Sequence, residues 1–203
     1  MTAESREKPD HQRPEHPAFW DKRFGEGVTP WDAGTVPAAL AAHMAAFPAP
    51  AGVLIPGCGS AHEAAFLDRL GWAVTALDFS AAAIEVARRN LGDWKGCLLQ
   101  EDFFGHRPAT SYALVYERAF LCALPRKLWG GYGETMARLV APGGCLVGFF
   151  FLGDEPKGPP FGIRREALEE MLVPHFELAA DEPVADSLPA FAGGERWMVW
   201  RRR

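Results

Sequence analysis

Hydrophobic and polar positions follow two different periods along this chain. Short apolar runs bounded by Gly, Pro or Asp predict strands, and longer stretches with apolar residues three or four positions apart predict helices. The predicted strands are 52–56, 73–77, 96–99, 112–116, 145–152, 175–180 and 196–200. The predicted helices are 18–24, 36–47, 61–70, the segment from the N-cap Ser80 up to 91, 127–140 and 163–172. Pro48 and Pro50 are expected to end the second of these helices, and the Pro-Gly-Gly run at 142–144 the fifth.

The order of these elements predicts the fold. Helices separate most of the first five strands, an order typical of a parallel sheet with right-handed crossovers. The run 145–152 is continuously apolar, which is typical of a central strand. No helix separates the last two strands, so we expect them to pair antiparallel at the sheet edge. The fold class is therefore α/β: a Rossmann-like seven-stranded sheet, mostly parallel, with helices on both faces.

Length and charge limit the possibilities further. The chain has 203 residues and a net charge of −5, which suits one domain and argues against nonspecific binding of nucleic acid. Residues 1–16 are charged, contain Pro and have almost no large apolar groups. We therefore expect a disordered tail over 1–16 and a single domain over 17–203.

The cysteines and the lengths of the apolar runs exclude other classes. None of Cys58, Cys97, Cys122 and Cys145 forms a C-x-x-C pair or lies at zinc-like spacing with His, so no metal site is predicted. The N-terminus lacks the apolar core of a signal peptide, and no run reaches the ~18–20 apolar residues of a membrane span. We expect a cytoplasmic monomer without nucleic-acid or membrane partners.

The stretch VLIPGCGSAHE, residues 53–63, carries the first candidate chemistry. Gly57 and Gly59 lie where a predicted strand turns into a helix, and glycine lets a ligand approach the backbone closely. A dinucleotide fingerprint places a third glycine three residues later, but His62 occupies that position. A ligand without a pyrophosphate, such as S-adenosylmethionine, needs the turn but not the tight phosphate cradle. An NAD-dependent oxidoreductase is therefore only a distant alternative.

Acidic residues follow the next two predicted strands. Asp78 lies about 20 residues after the glycines, where a ribose-binding carboxylate belongs. Asp102, in the run EDFF, can accept from an adenine amino group while Phe103 packs on the ring. Each feature alone has an ordinary structural explanation, such as a capping turn at Asp78 or a core position for Phe103. Because the carboxyl ends of parallel strands meet in one crevice, together they predict a nucleoside-binding site.

Seven short segments occur in the order found in a known family. They are WDKR at 20–23, GVTPWD at 27–32, PGCG at 56–59, LDFS at 77–80, EDFF at 101–104, YERA at 116–119 and GPPF at 158–161. With them the chain resembles the thiopurine S-methyltransferase family of class I S-adenosylmethionine-dependent methyltransferases. Within that family it resembles the bacterial and plant thiol and halide methyltransferase-like members.

The resemblance implies a role for most of these residues. The segment 17–50 would cover the cofactor and the acceptor, with Trp31 near the sulfonium, since an aromatic face attracts a cation. Asp78 would hold the ribose, and Asp102 with Phe103 the adenine. The residues implied to bind S-adenosylmethionine, or S-adenosylhomocysteine as product, are Trp20, Phe24, Trp31, Gly57, Cys58, Gly59, Asp78, Phe79, Ser80, Asp102, Phe103 and Tyr116.

The resemblance also implies a catalytic role for Arg118. It falls where thiopurine methyltransferases carry an arginine near the acceptor, and the structural alternative is a surface ion pair with Glu117. The segment 158–161 would form part of a lid on the acceptor side. Thiopurine enzymes of the mammalian type carry an acid near their start. Here Lys22 stands at that position beside Asp21, so no acidic base can be transferred.

These features predict an S-adenosylmethionine-dependent S-methyltransferase that acts on a small thiol or a thiopurine-like compound. Methylation of a halide or of thiocyanate is the first alternative, because those acceptors need no base. A non-catalytic S-adenosylmethionine-binding protein is the second alternative.

Overall fold

The computed structural model describes residues 8–47, 51–191 and 193–203, and these form one sheet with helices against it. The strands are β1 Gly52–Pro56, β2 Ala73–Asp78, β3 Cys97–Gln100, β4 Tyr112–Arg118, β5 Val140–Phe151, β6 Phe176–Pro183 and β7 Glu195–Arg202. The α-helices are α1 Pro17–Gly25, α2 Ala38–Ala46, α3 His62–Arg69, α4 Ala81–Leu91, α5 Tyr132–Leu139 and α6 Arg165–Leu172. Short 3₁₀ helices occupy Asp10–Gln12, Leu121–Ala123, Arg126–Gly131 and Pro189–Phe191.

The strand order confirms the predicted fold class. The seven strands lie in the order β3-β2-β1-β4-β5-β7-β6. The pairs among β1 to β5 are parallel, whereas β7 pairs antiparallel with both β5 and β6. The order reverses between β1 and β4, and ligands of open α/β sheets bind outside the carboxyl ends of the strands at such a point.

Helices cover both faces of the sheet. On one face α2, α3 and α4 pack through residues such as Leu40, Leu67 and Ala87. On the other face α5 and α6 pack through residues such as Met136 and Leu168. All five are fully buried, and burying one aliphatic side chain of the size of Leu stabilises a fold by about 1.5–3 kcal/mol. The two clusters fix the strands, and with them the loops at their carboxyl ends.

The predicted helix 127–140 is wrong in its first part. The chain forms the 3₁₀ helix Arg126–Gly131 and only then α5. Two successive glycines, Gly130 and Gly131, weaken an α-helix at this junction. The strand β5 also begins at Val140, five residues before the predicted start. Val140 pairs with the start of β4 ahead of a register shift, so the Pro-Gly-Gly turn that we expected to end a helix is absorbed into a strand.

The N-terminal segment lies partly outside the described residues. Within 8–16 there is one 3₁₀ helix, and the Pro14 carbonyl accepts a hydrogen bond of 2.8 Å from the indole nitrogen of Trp20. Glu15 pairs with Lys127 at 2.5 Å. The disordered tail predicted for 1–16 therefore has contacts with the domain in the part that can be described. Pro48 and Pro50, predicted to end the helix now assigned to α2, lie outside the described residues.

No helix in the described ranges is long and apolar enough to cross a bilayer.

Candidate active site

A cavity of about 320 Å³ lies at the carboxyl ends of β1 to β4. Its walls are the turns after these strands, α1 with the loop that follows it, and two apolar segments at 159–160 and 190–191. A volume of ~300–1,000 Å³ is usual for a small-molecule site. The charged residues of the lining are Arg23, Asp78, Glu101, Asp102 and Arg118.

The glycine turn after β1 brings bare backbone to this cavity. Gly57 and Gly59 have φ values of +60° and +49°, which disfavour residues with a side chain. A Cβ atom on Gly57 would lie 2.5 Å from the ring of Phe120, in the adjoining wall. Both glycines line the cavity. The turn therefore leaves bare backbone at the cavity, where a ligand can approach it closely.

Asp78 is held at the end of β2 by two backbone donors. Its Oδ2 accepts from the amide of Gly59 at 3.2 Å, and its Oδ1 accepts from the amide of Ser80 at 2.9 Å. The side chain lines the cavity although the residue is only 7% exposed. Burial raises the pKa of this carboxyl to about 6, against the backbone hydrogen bonds, which lower it. A carboxylate oriented in this way can accept from ribose hydroxyls.

Three aromatic rings form the cover of the cavity. The ring centroid of Trp31 lies 5.4 Å from that of Trp20 and 5.9 Å from that of Phe24, both in edge-to-face geometry. All three rings line the cavity. Trp20 and Phe24 come from α1, whereas Trp31 comes from the loop after it. The edge-to-face contacts hold this loop against the helix.

Asp21 holds α1 on the rest of the domain, and it does not reach the cavity. Its Oδ1 accepts from the hydroxyl of Ser80 at 2.7 Å and from the amide of Ala82 at 3.1 Å, at the N-terminus of α4. Ser80 also accepts from the amide of Ala83 at 3.1 Å. Both side chains are thus used in capping α4. The structure does not bring Ser80, predicted to bind the cofactor, to either pocket.

Asp32 holds the Trp31 loop on the N-terminus of α3. It accepts hydrogen bonds from the hydroxyl of Ser60 and from the amide of Gly34. The Nε2 atom of His62 lies 3.5 Å from its Oδ1. His62, which stands where a dinucleotide site would have its third glycine, therefore lies against the cover of the cavity in this chain.

Arg118 lies at the end of β4, where the cavity meets a second pocket of about 50 Å³. Its Nη1 atom is 4.0 Å from Oε1 of Glu63, and its guanidinium carbon is 5.0 Å from the centroid of Phe149. Its buried Nε atom has no hydrogen-bond partner among the described residues. A guanidinium that lines a mostly apolar wall is suited to an anion.

The surface ion pair considered for Arg118 and Glu117 does not form. Glu117 is fully buried on the opposite face of β4, and its Oε2 accepts from the amide of Leu121 at 2.9 Å. Burial raises the pKa of Glu117 to about 8. This carboxyl therefore supports the turn that carries Arg118 and Phe120.

Cys58 and Tyr116 line the small pocket and not the main cavity. The hydroxyl of Tyr116 donates to Oε1 of Glu63 at 3.3 Å. Burial raises the pKa of Glu63, while the charge of Arg118 partly offsets that increase. Sequence reasoning missed Glu63, which stands four residues after Gly59 in an unremarkable helical position.

The wall beside Arg118 is apolar. Pro159 and Pro160 line it, in the segment predicted to form a lid. The amide of Phe161 donates to the carbonyl of Cys122 at 2.7 Å, which joins this segment to the turn after β4. Phe191 completes the wall and was not predicted. It lies in a Pro- and Gly-rich segment far along the chain, and nothing local in the sequence marks it.

The lining fits S-adenosylmethionine better than a dinucleotide. Its carboxylates stand at the ends of β2 and β3, and the three rings of the cover come from the segment ahead of the glycine turn. Only Arg23 and Arg118 are basic in the described lining. Arg23 stacks on Phe19 at 3.4 Å and donates to its carbonyl, so it is not aimed at a pyrophosphate. Phe79, Asp102 and Phe103 all line the cavity as predicted.

Comparisons with known proteins agree with this description. The family model described as Thiopurine S-methyltransferase (TPMT) matches residues 15–202. Thiocyanate methyltransferase 1 of Arabidopsis thaliana is 27% identical over 190 residues, which cover 90% of this chain and 84% of that protein. Probable thiol methyltransferase 2 of the same plant is 32% identical over 165 residues, which cover 76% and 71%.

A solved structure shows the same fold. The 1,6-didemethyltoxoflavin-N1-methyltransferase of Burkholderia thailandensis, with bound 1,6-didemethyltoxoflavin and S-adenosylhomocysteine, superposes with a TM-score of 0.72 at 19% identity. The superposition covers 98% of this chain and 93% of that one.

Proposed function

This chain belongs to the thiopurine S-methyltransferase family, and we propose that it transfers the methyl group of S-adenosylmethionine to the sulfur of a small thiol or thiopurine-like acceptor. The observation that carries this proposal is the position of Arg118. Its side chain lies where the cofactor cavity meets the small pocket, beside an apolar wall. A sulfur anion suits this environment. Its charge is spread over a large, polarisable atom, so the Arg118 guanidinium alone is enough to stabilise it.

The cofactor, when bound, supplies an electrophilic methyl group on a sulfonium that leaves as a neutral thioether. Asp78 would accept from the ribose and Asp102 from the adenine amino group, with Phe103 against the ring. Trp31 would face the sulfonium, whose charge an aromatic face attracts. Gly57 and Gly59 would let the methionine part lie close to the backbone. These assignments use only residues of the described lining.

Arg118 would act by electrostatics and not by proton transfer. A thiolate is a far better nucleophile than a thiol, and a nearby guanidinium favours the anionic form. An apolar wall removes water from that anion and leaves it aligned for an in-line displacement. The side chain would thus contribute mainly to turnover.

Transfer to thiocyanate or a halide is a second candidate function. The observation that favours it is the distribution of acids in the described lining of the main cavity: Asp78, Glu101 and Asp102 all stand at the ends of β2 and β3. Glu63, whose Oε1 lies 4.0 Å from Arg118, lines only the small pocket. Asp21 is engaged at α4, and Lys22 lies 4.0 Å from Glu26 on the surface of α1. An acceptor that is already an anion needs no base beside it.

A panel of acceptors separates these possibilities. The full chain is incubated with S-adenosylmethionine and benzenethiol, hydrosulfide, thiocyanate or iodide, and S-adenosylhomocysteine is quantified. The proposal expects turnover with at least one of the two thiols. Turnover with thiocyanate or iodide alone would establish the second candidate. Tight binding of S-adenosylhomocysteine without turnover on any acceptor would support a non-catalytic binding protein.

Substitution of Arg118 tests its assignment. In Arg118→Ala we expect a large loss of turnover with a thiol, with little change in the Kd of S-adenosylhomocysteine. Arg118→Lys keeps a positive charge but lacks the guanidinium fork, so its turnover should lie between those of wild type and Arg118→Ala. Arg69→Ala, at an exposed position of α3, is the matched control. Unchanged turnover in Arg118→Ala would remove this role.

A cytoplasmic location and a monomeric state are sequence-based predictions. Cell fractionation and size-exclusion chromatography with light scattering would test them.

A further inference from the structure

A buried histidine stands behind the wall of the cavity at the end of β3. The Nδ1 atom of His106 lies 2.8 Å from Oε2 of Glu101, which is a residue of the cavity lining. The His106 side chain is 6% exposed and the Glu101 side chain 37% exposed. One carboxylate oxygen is therefore fixed from within the protein, while the side chain stays partly accessible.

The other nitrogen of His106 is also engaged. Its Nε2 lies 2.9 Å from the hydroxyl of Tyr112, and the rings stack with centroids 6.1 Å apart. Since a carboxylate can only accept, the Nδ1 atom of His106 donates to Glu101, and in a neutral imidazole Nε2 then accepts from the Tyr112 hydroxyl. The result is one chain of hydrogen bonds, Tyr112 to His106 to Glu101.

The backbone around His106 is tied down as well. Its amide donates to the carbonyl of Phe103 at 3.3 Å, and its own carbonyl accepts from Arg138 at 2.6 Å. The ring therefore has a fixed orientation with respect to the turn that follows β3. A carboxylate that is held in this way binds a ligand more tightly, because its side chain loses little conformational freedom when the ligand binds.

We infer that Glu101, oriented by His106, recognises a hydrogen-bond donor at the adenosine end of the cofactor. This places a second carboxylate beside Asp102, whose Oδ1 is partly used by the amide of Phe104 at 3.3 Å. His106 is a positioning residue, since Glu101 and not His106 lines the cavity. The inference rests on S-adenosylmethionine as cofactor and is independent of the acceptor.

Two substitutions of His106 separate positioning from simple support of the loop. In His106→Asn the amide nitrogen replaces Nδ1 and can still donate to Glu101, but the contact with Tyr112 is lost. In His106→Gln the amide replaces Nε2 and keeps Tyr112, but the contact with Glu101 is lost. Binding of S-adenosylhomocysteine to the full chain is measured by calorimetry, and the melting temperature of each variant is recorded.

Positioning predicts opposite results for these two variants. The Kd should rise about tenfold in His106→Gln, the effect of one charge-assisted hydrogen bond, and stay within about threefold of wild type in His106→Asn. Glu101→Gln should also raise the Kd about tenfold, with no further rise when His106→Gln is added. A wild-type Kd in His106→Gln, or additive losses in the double variant, would overturn the inference.

Two cofactor analogues identify the donor without any change at His106. The ratio of Kd values between Glu101→Gln and wild type is measured for S-inosylhomocysteine, which lacks the 6-amino group, and for the 2′,3′-dideoxy form of S-adenosylhomocysteine, which lacks both ribose hydroxyls. The ratio should fall towards one with the analogue that lacks the recognised donor. An undiminished ratio with both analogues would contradict recognition of the adenosine, even if the His106 variants did not fold. Because binding is measured directly, an inactive acceptor panel would not affect either outcome.

Discussion

The amide of Gly59 donates a hydrogen bond to Oδ2 of Asp78 across 3.2 Å, which makes the turn after β1 and the carboxylate after β2 one structural unit. The amide of Ser80 fixes the other oxygen of the same carboxylate at 2.9 Å. The orientation of Asp78 is therefore set by backbone groups before any ligand binds. The sequence separates these two features by about 20 residues, and the parallel pairing of β1 with β2 brings them together.

Replacing Asp78 by Asn should weaken cofactor binding strongly. The amide would present a donor where two backbone donors and the ribose hydroxyls all require an acceptor. Loss of a hydrogen bond to a charged group corresponds to about 10- to 100-fold in Kd. Calorimetry with S-adenosylhomocysteine measures this, and Asp93→Asn, at an exposed position after α4, is the control. A Kd within about twofold of wild type in Asp78→Asn would mean that this carboxylate does not bind the ribose.

The cover of the cavity should distinguish a cationic from a neutral cofactor. In Trp31→Leu we expect the Kd of S-adenosylmethionine to rise about 2- to 30-fold more than that of S-adenosylhomocysteine, because only the former carries the sulfonium charge. Trp31→Phe keeps an aromatic face and should preserve most of the difference. Equal losses for both ligands in Trp31→Leu would show that Trp31 contributes contact area and no interaction with the charge.

Asp21 should act on stability and not as a base. Its Oδ1 accepts from Ser80 and Ala82 at the start of α4, so Asp21→Ala should lower the free energy of unfolding by about 0.5–2 kcal/mol. The pH dependence of turnover with a thiol should be that of wild type. Lys22→Ala, one position along the same helix, is the control. If Asp21→Ala instead lowered turnover by orders of magnitude, and the pH profile of turnover lost its acidic limb, Asp21 would be identified as the base.

Glu117 should make stability depend on pH. Burial raises its pKa from the ordinary 4.5 to about 8, so the folded chain holds this proton more tightly than the unfolded chain. The resulting stabilisation is complete below the unfolded pKa and is lost as pH rises towards 8, at up to ~1.4 kcal/mol per pH unit. Glu117→Gln lacks this loss, so its stability relative to wild type should increase between pH 5 and 8.

Urea denaturation at several pH values measures that difference. Glu170→Gln, at an exposed position of α6, should show a constant offset from wild type over the same range. Asp78, whose pKa burial raises to about 6, titrates in both proteins and cancels in the comparison. A difference between Glu117→Gln and wild type that does not change from pH 5 to pH 8 would contradict the buried neutral carboxyl.

The fold, and the residues that line the cavity at the ends of β1 to β3, could be predicted because their signals are local. Strand ends, the glycines at 57 and 59, and the acids at 78 and 102 are each visible in a few residues, and parallel pairing joins them. The motif YERA likewise indicated that Arg118 belongs to the site. Phe120 follows this motif directly and begins an apolar run, so the sequence could also have indicated it, but the prediction did not include it.

The remaining features depend on contacts between distant segments. Phe191 reaches the cavity from a segment without periodicity, and Ser80 is withdrawn from it because Asp21, 59 positions earlier in the chain, takes its hydroxyl. The pairing of His106 with Glu101 and Tyr112 likewise needs the folded turn after β3. A single sequence marks none of these, since each residue type is common in an ordinary structural position.

The destination of the methyl group tests the central claim most directly. The full chain is given S-adenosylmethionine labelled with ¹³C in its methyl group, together with equal amounts of benzenethiol and phenol, and the product is identified by NMR. We predict that the label appears as the S-methyl carbon of the thiol, with S-adenosylhomocysteine in equal amount. A label on the phenol oxygen, or a label that stays on the bound cofactor in the presence of the thiol, would contradict transfer to sulfur.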